Sequence, residues 1–293
     1  MKQRSIRWSV YAGLLPAILI VVFAYIGTML WTAGISFTSS RMLPVADFAG
    51  FSQYVRLFKS ARWLTSVENM VIFGVLMIAL ALVIGFLLAV ALDQRIRAEG
   101  AIRTVILYPY AMSFIVTGLV WQWILNPTLG IQHTVRGWGF ENFRFDWIIQ
   151  RETAIYCVVL AAVWHASGLV MAIMLAGLRG VDQDLWKASR VDGVRPWRFY
   201  FHIVIPILKP SFISATVLLS LGVVKLYDLV LVLTGGGPGF ASDVPAKFVM
   251  DYLFQRQNIG LATAAATTLL ITVMSVLVPW LYVEYFRAEK QKD

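Results

Sequence analysis

The chain has 293 residues, of which 59% are hydrophobic and only 14% are charged, and its formal net charge is +9 at pH 7. A mean hydropathy of +0.73 excludes an ordinary soluble domain and indicates an integral membrane protein. The single cysteine excludes an internal disulfide. The basic residues are spread over short segments, which argues against nucleic-acid binding.

Six apolar runs divide the chain, and each is long enough to cross about 30 Å of hydrocarbon as a helix of about 20 residues. The first run follows Lys2, Arg4 and Arg7, but it is too long for the apolar part of a signal peptide and lacks a small-residue cleavage site. We therefore expect an all-α membrane protein with a single transmembrane domain over residues 11–283. Its six spans are predicted near residues 11–36, 70–92, 104–125, 154–178, 210–233 and 261–283.

The distribution of positive charge orients these spans. If the chain starts on the inner side, most of its 25 lysine and arginine residues fall on inner segments, whereas the acidic residues divide almost evenly. The positive-inside rule then predicts that both tails, residues 1–10 and 284–293, lie in the cytoplasm, together with the loop 179–206.

The third predicted span ends in a cluster of polar and aromatic side chains. Gln122 and Asn126 lie near its outer end, close to Trp121 and Trp123. Sugars present hydroxyl groups and an apolar C–H face, which amides and aromatic rings can match. Tryptophan at this depth is also typical of the aromatic belt at a membrane boundary. Gln122 and Asn126 are therefore candidates for a substrate path.

The inner segment between the fourth and fifth spans has the pattern of a docking helix. Apolar residues recur at helical spacing in its first part, at Val181, Leu185, Ala188 and Val191. This pattern predicts a short amphipathic helix whose apolar face suits a groove in a partner. Asp192 and Gly193 are expected to end it, and Pro196 can start a second helix. The alternative is a solvated basic loop that lies against anionic lipid.

Two ionisable residues, Lys225 and Asp228, lie three positions apart within the fifth predicted span, and this spacing places them on one helical face. A charge in hydrocarbon is costly, so both should face the bundle interior, a partner or an aqueous cavity. One interpretation is an ion pair within the helix that fixes helix packing. The other places Tyr227 or Asp228 beside a translocation path, where a carboxylate accepts hydrogen bonds from sugar hydroxyls.

We find no sequence pattern for catalysis. The glycine-rich run that begins at Thr234 lacks the lysine and hydroxyl residue of a phosphate-binding loop, and the orientation above places it outside. His165 and Ser167 are two positions apart, so they do not face each other on a helix. We therefore expect that the chain is not an enzyme and has no cofactor or metal site of its own.

Three ordered motifs resemble the permeases of carbohydrate ABC importers. They are the segment from Gly177 to Pro206, the segment from Tyr108 that ends in Asn126-Pro-Thr-Leu-Gly, and Lys225-Leu-Tyr-Asp-Leu-Val-Leu-Val-Leu-Thr-Gly-Gly-Gly-Pro. Within that family the chain looks like the MalF-like, first permease of a pair. The resemblance implies a MetI-like bundle of six helices with a cytoplasmic coupling helix, in the bacterial cytoplasmic membrane.

The first of these motifs is similar to the family's EAA loop, which docks onto the ATPase subunit. The resemblance implies a coupling role for Leu185, Lys187, Ala188, Ser189, Asp192 and Gly193. Lys187 stands where the family has glutamate, and Ser189 stands where it has a second alanine. Lys187 would therefore reverse the polarity of the family's contact, or Asp184 would supply the acid.

The resemblance also implies the partners and the activity. They are a second related permease, a dimeric P-loop ATPase that holds ATP and Mg, an extracytoplasmic solute-binding protein, a small-molecule sugar such as glucose or mannose, and the lipid bilayer, with no nucleic acid. The chain would form half of the translocation pathway. The alternative is a stand-alone secondary transporter that uses Lys225 and Asp228, although we detect no inverted repeat in the sequence.

Overall fold

A computed structural model describes residues 8–94 and 96–290. This part of the chain is helical, with an isolated β-bridge between Thr38 and Phe48 but no strand. The α-helices are α1 (Trp8–Ile20), α2 (Thr28–Ile35), α3 (Ser52–Lys59), α4 (Ala61–Leu92), α5 (Glu99–Ala111), α6 (Phe114–Ile124), α7 (Ile131–Gly137), α8 (Ala154–Arg179), α9 (Gln183–Val191), α10 (Pro196–Phe199), α11 (Ile205–Ile207), α12 (Lys209–Val224), α13 (Asp228–Leu233), α14 (Pro245–Met250) and α15 (Ile259–Lys290). Short π-helical segments lie at Val21–Gly27, Tyr200–Val204 and Asp251–Gln255, and a 3-10 turn at Trp147–Ile149.

The apolar runs form helices because a segment in lipid has no water to bind its backbone N–H and C=O groups. Three helical stretches are long and apolar enough to cross a membrane by themselves: Gly13–Ile35, Ala61–Leu92 and Ala154–Arg179. A shorter apolar helical stretch, Ile259–Ser275, lies on α15 and overlaps the sixth predicted run, 261–283.

Two pairs of helices are bent, one within the third run and one where the loop 179–206 leads into the fifth run. The axes of α5 and α6 differ by 100°, and those of Pro196–Ile207 and α12 differ by 67°. At the first bend Met112 and Ser113 are extended, and the Ser113 hydroxyl accepts a hydrogen bond from the Val116 N–H at 3.3 Å, which caps α6. In each bent pair, the two helices are long and apolar enough to cross a membrane only when they are counted together as one span.

The described residues of 1–63 and 248–293 form one compact unit. Here the Gly260 N–H donates to the Ser40 carbonyl at 2.8 Å, and a Cβ on Gly260 would approach the Thr38 carbonyl to 2.6 Å. A buried ion pair joins Arg62 to Asp251. The start of α15 therefore packs closely on the segment that follows α2.

Residues 64–247 form the second unit, and its core is built around α8. Gly85 of α4 lies against Val170, where an added Cβ would meet the Val170 side chain at 2.5 Å. Gly168 approaches the backbone carbonyl of Ile106 on α5 even more closely. Small residues at these positions let the helices touch, which is the usual way in which helices pack in a membrane.

Candidate functional site

The two ends of the loop predicted to dock onto a partner, 179–206, lie next to each other: the residue just before its start packs against residues just after its end. At its start Gly177 of α8 lies against Ser211 and Leu208, so that an added Cβ would meet their side chains at 2.5 Å and 2.6 Å. The Asp182 carboxylate then accepts a hydrogen bond from the Asp184 N–H at 2.8 Å and caps α9. Both ends of the loop are thus fixed to the helical core of this unit.

The helix α9 presents one face to its own chain. Trp186 packs against Phe199 with ring centroids 4.3 Å apart and against Tyr200 at 5.5 Å, and Phe199 is only 2% exposed. Ser189 is also buried, and its hydroxyl donates to the Trp186 carbonyl at 2.9 Å. The inward face is therefore an aromatic anchor that joins α9 to the helix that follows it.

The opposite face of α9 is apolar and exposed. Leu185 is 41% exposed and Val191 is 86% exposed, and Ala188 lies exposed between them. Val181 precedes α9 and is buried, so it belongs to the core and not to this face. We call Leu185, Ala188 and Val191 the α9 face.

The predicted end of the docking helix is confirmed. Asp192 follows α9 as its C-cap, and Gly193 has φ +65°, a conformation that costs side-chain-bearing residues strain. The Val194 N–H then donates to the Ser189 carbonyl at 3.0 Å, and Pro196 begins α10. Asp192 and Gly193 therefore set the direction in which the chain leaves α9.

The charges on α9 largely compensate each other. The Lys187 ammonium lies 2.7 Å from the Asp184 carboxylate, one turn earlier, and both side chains are exposed. The sequence left open whether Lys187 or Asp184 would meet the partner, and the structure pairs them with each other. Since both are solvated, this ion pair adds little stability.

A cavity of about 590 Å³ lies beside α9. It is lined by Gln183, Trp186, Lys187 and Arg190 of α9 and by Asp93, Gln94, Leu178, Arg179 and Val181. Burial raises the pKa of the Asp93 carboxyl, while the Arg179 charge opposes this shift and Glu99 adds to it. Arg179 forms an ion pair with Glu99 at 2.5 Å.

The structure brings the two candidates of the third span together in a second cavity. Gln122 and Asn126 line a space of about 360 Å³ together with Thr234 and Pro238. The side-chain Oδ1 of Asn126 accepts hydrogen bonds from the backbone N–H and the hydroxyl of Thr128, at 2.9 Å and 2.7 Å. Asn126 therefore shapes the turn, whereas Gln122 is exposed and has no hydrogen-bond partner among the described residues.

The expectation that Lys225 and Asp228 share a helical face is wrong. The helix α12 ends at Val224, Lys225 is its C-cap, and α13 starts anew at Asp228 after Tyr227 with φ −125° and ψ −60°. Lys225 and Asp228 are both exposed, and no ion pair joins them in the described part of the chain. An intrahelical lock is therefore not present, and neither residue lines either cavity described above.

Comparison with known proteins places this architecture in a family. A model of the family described as "Binding-protein-dependent transport system inner membrane component" matches residues 97–284. The chain belongs to this family. The resemblance to carbohydrate ABC-importer permeases is confirmed, and so is the predicted all-α, MetI-like fold.

Relatives of the permease match it over nearly its whole length. A probable ABC transporter permease protein of Pyrococcus horikoshii is 33% identical over 94% of this chain and 96% of its own. The xylose/arabinose import permease protein of Haloferax volcanii is 32% identical over 96% of this chain and 88% of its own. A trehalose/maltose transport system permease protein of Thermococcus litoralis is 26% identical, with coverage of 95% and 94%.

A solved structure shares the fold of the permease. A chain of a bacterial ABC transporter involved in import of the acidic polysaccharide alginate superposes with a TM-score of 0.81 and 20% identity over 96% of both chains. At that identity the likeness shows the fold alone. Membership in the family also weighs against the stand-alone secondary transporter.

The sequence analysis missed Trp186, the residue that fixes α9 to the helix that follows it. Trp186 was not among the candidates, because helical spacing favoured the apolar residues on either side of it. A signal was present, since Trp186 is the only aromatic residue of α9, and Phe199 and Tyr200 follow within the same loop.

Proposed function

We propose that this permease is the transmembrane subunit of an ATP-driven sugar importer that works by alternating access. It forms half of the translocation pathway, and a second related permease forms the other half. A separate dimeric P-loop ATPase binds ATP and Mg, and α9 transmits its movement to the bundle. An extracytoplasmic solute-binding protein delivers the sugar, and both termini of the permease lie in the cytoplasm.

The observation that carries this proposal is the two-faced geometry of α9. The Trp186 anchor holds α9 against Phe199, so the helix can move only together with the chain on either side of it. The α9 face is left without cover from its own unit, and burial of such apolar side chains favours association. A short, firmly held helix with an open apolar face suits docking into a partner's groove.

The transported solute is proposed to be a monosaccharide such as glucose or mannose. Relatives with this fold include permeases named for xylose/arabinose import and for glucose import. The cavity lined by Gln122, Ile148 and Pro238 combines an amide with apolar walls, which suits the hydroxyls and C–H faces of a small sugar. Lys225, Tyr227 and Asp228 remain candidates for a second part of the path.

The coupling role can be tested with a single charge on the α9 face. Val191→Asp should lower sugar-stimulated ATP hydrolysis of the assembled transporter by about tenfold, because a carboxylate would have to be buried in the ATPase groove. The side chain is already exposed, so the permease itself should fold. Leu129→Asp is the matched control, since Leu129 is 77% exposed and lies on the other side of the membrane in the proposed orientation.

The result for Val191→Asp can contradict the coupling proposal. If Val191→Asp left both uptake and stimulated hydrolysis unchanged, α9 would not be the coupling helix. Sugar identity needs its own assay, in which labelled glucose, mannose and maltose are offered to proteoliposomes that contain the transporter and its binding protein. Accumulation of maltose alone would exclude the monosaccharide proposal while leaving the coupling proposal intact.

A further inference from the structure

Large apolar side chains crowd the segment that follows the first span. Six of them are between 51% and 81% exposed, and we call them the α3 patch: Met42, Leu43, Phe48, Phe51, Val55 and Phe58. Several large apolar side chains exposed next to one another mark a surface that contacts a membrane or another protein. The proposed transport function does not account for this surface.

The helix α3 is amphipathic, and its inner face is firmly held. Gln53 and Leu57 are buried, and the Gln53 amide donates to the Thr38 carbonyl at 3.1 Å. Phe51, Val55 and Phe58 recur at helical spacing on the other side and remain exposed. The outward direction of the α3 patch is therefore fixed by contacts within its own unit.

The position of α3 along the membrane normal follows from its neighbours. The Tyr54 hydroxyl lies 2.7 Å from the Ser36 hydroxyl, and Ser36 directly follows the apolar stretch Gly13–Ile35. Only Ser60 separates α3 from α4, the next helix that is long and apolar enough to span. The contact with Ser36 places α3 at the boundary where the first span leaves the hydrocarbon, whereas the apolar run on α4 begins only at residue 70.

The charges around α3 complement a phospholipid surface. Arg41, Arg56 and Lys59 are exposed, and Asp47 is the nearby acid, so the segment 41–59 has a positive balance. Cations beside an apolar helix face can reach lipid phosphates while the apolar side chains enter the acyl region. A protein groove would need apolar walls for the apolar side chains and acidic groups for these cations. A lipid interface supplies acyl chains for the first and phosphates for the second.

We propose that α3 lies in the membrane–water interface as an amphipathic anchor, with Val55 and Phe58 among the lipid chains and Arg56 and Lys59 at the phosphates. The anchor gives the unit that holds the first span an interfacial contact in addition to the span itself, and this contact helps to fix the depth of the unit in the membrane. The proposal does not depend on which sugar is carried or on the role of α9.

Spin-label accessibility in the assembled transporter, reconstituted in nanodiscs of phosphatidylglycerol and phosphatidylcholine, tests this placement. The only native thiol, the buried Cys157, is first replaced by alanine. Labels are then attached in separate variants at Val55→Cys, on the α3 patch, and at Ser52→Cys, an exposed position on the polar side of the same helix. Collision rates with oxygen, which concentrates in lipid, and with a water-soluble nickel chelate are compared.

We expect the ratio of oxygen to nickel collisions to be about threefold or more higher for the Val55 label than for the Ser52 label. Low, equal ratios at the two sites would show that both labels face water, and high, equal ratios would show that both lie in lipid; either result would overturn the proposal that α3 lies in the interface with one side in lipid. A Val55 label shielded from both reagents in the assembled transporter would show that a protein partner covers the α3 patch, which would also overturn it. Sugar uptake by each variant verifies that the labelled transporter is assembled.

Discussion

The helix α9 and the turn at residues 225–228 are both short segments next to long apolar helices, but they are held in different ways. The Asp182 side chain caps α9, Gly193 ends it, and Trp186 fixes it to Phe199. In the turn, α12 ends at Lys225 through backbone hydrogen bonds alone to the Leu221 and Val223 carbonyls, and the N-terminus of α13 at Tyr227 has no side-chain cap. Under the proposed function the first segment transmits a movement as one body, and the second is a helix break of the kind that lines solute paths in transporters.

The largest expected effect comes from Gly193, which fixes the end of α9. Gly193→Pro should lower sugar-stimulated ATP hydrolysis by well over tenfold, because proline holds φ near −65° and cannot adopt the observed +65°. Gly193→Asn is the matched control, since asparagine tolerates this region of backbone space. Retention of full coupling by the proline variant would show that the path of the chain after α9 is unimportant.

Removal of the aromatic anchor should have the next largest effect. Trp186→Ala takes away ring contacts worth about 1 kcal/mol beyond their buried area and frees α9 from Phe199. We expect the number of sugars moved per ATP hydrolysed to fall severalfold, while co-purification of the ATPase persists. Trp186→Phe should restore most of the ratio, and failure of that rescue would assign the defect to indole-specific contacts.

Substitutions in the turn at residues 225–228 should weaken the affinity of the transporter for its solute. Lys225→Gln and Asp228→Asn are each expected to raise the KM for uptake and leave ATPase assembly unchanged. Because no ion pair joins the two residues, their effects should add to within about 0.5 kcal/mol in the double variant. Strong non-additivity would indicate that the residues form a pair in another state of the transport cycle.

The smallest effect concerns the stability of the C-terminal end of α4. Burial raises the pKa of Asp93 above its ordinary value of 3.8, so the ionised carboxylate disfavours the folded chain at neutral pH. This cost disappears as the pH falls toward 3.8, because the carboxyl then becomes protonated in both states. Asp93→Asn should therefore raise the melting temperature by up to about 2 °C at pH 7, and the difference should shrink at pH 4.

The exposed residue Glu152 provides the control for this measurement. Glu152→Gln removes a carboxylate at the surface and should leave the melting temperature unchanged at pH 7. A lower melting temperature for Asp93→Asn at pH 7 would mean that attraction to Arg179 outweighs the burial of Asp93.

The sequence predicted the structure well where local features decide it, namely the spacing of apolar residues along a helix and the residues that end a helix. Leu185, Ala188 and Val191 fall on one face of α9, and Asp192-Gly193 ends it, as their spacing and the glycine predict. The six apolar runs likewise coincide with helices because lipid leaves few alternatives to a helical backbone.

The sequence was less informative where contacts between distant residues decide the structure. Trp186 contacts Phe199 because the turn between α9 and α10 brings the two helices together, and helical spacing does not predict the geometry of that turn. The break after Val224 has no glycine or proline at residues 225–228 to signal it, so a continuous helix was the natural prediction. The bend between α5 and α6 did have a local signal in Pro109, which lies near the end of α5.

The exposure of Val191 has a consequence for the life of the protein in the cell. A permease made in excess of its ATPase would present the α9 face to the cytoplasm, together with the solvated loop that carries it. Uncovered apolar surface of this kind is what chaperones and proteases recognise. The half-life of the subunit should therefore depend on the supply of its partner, so that unmatched copies are removed and the stoichiometry of the complex is kept.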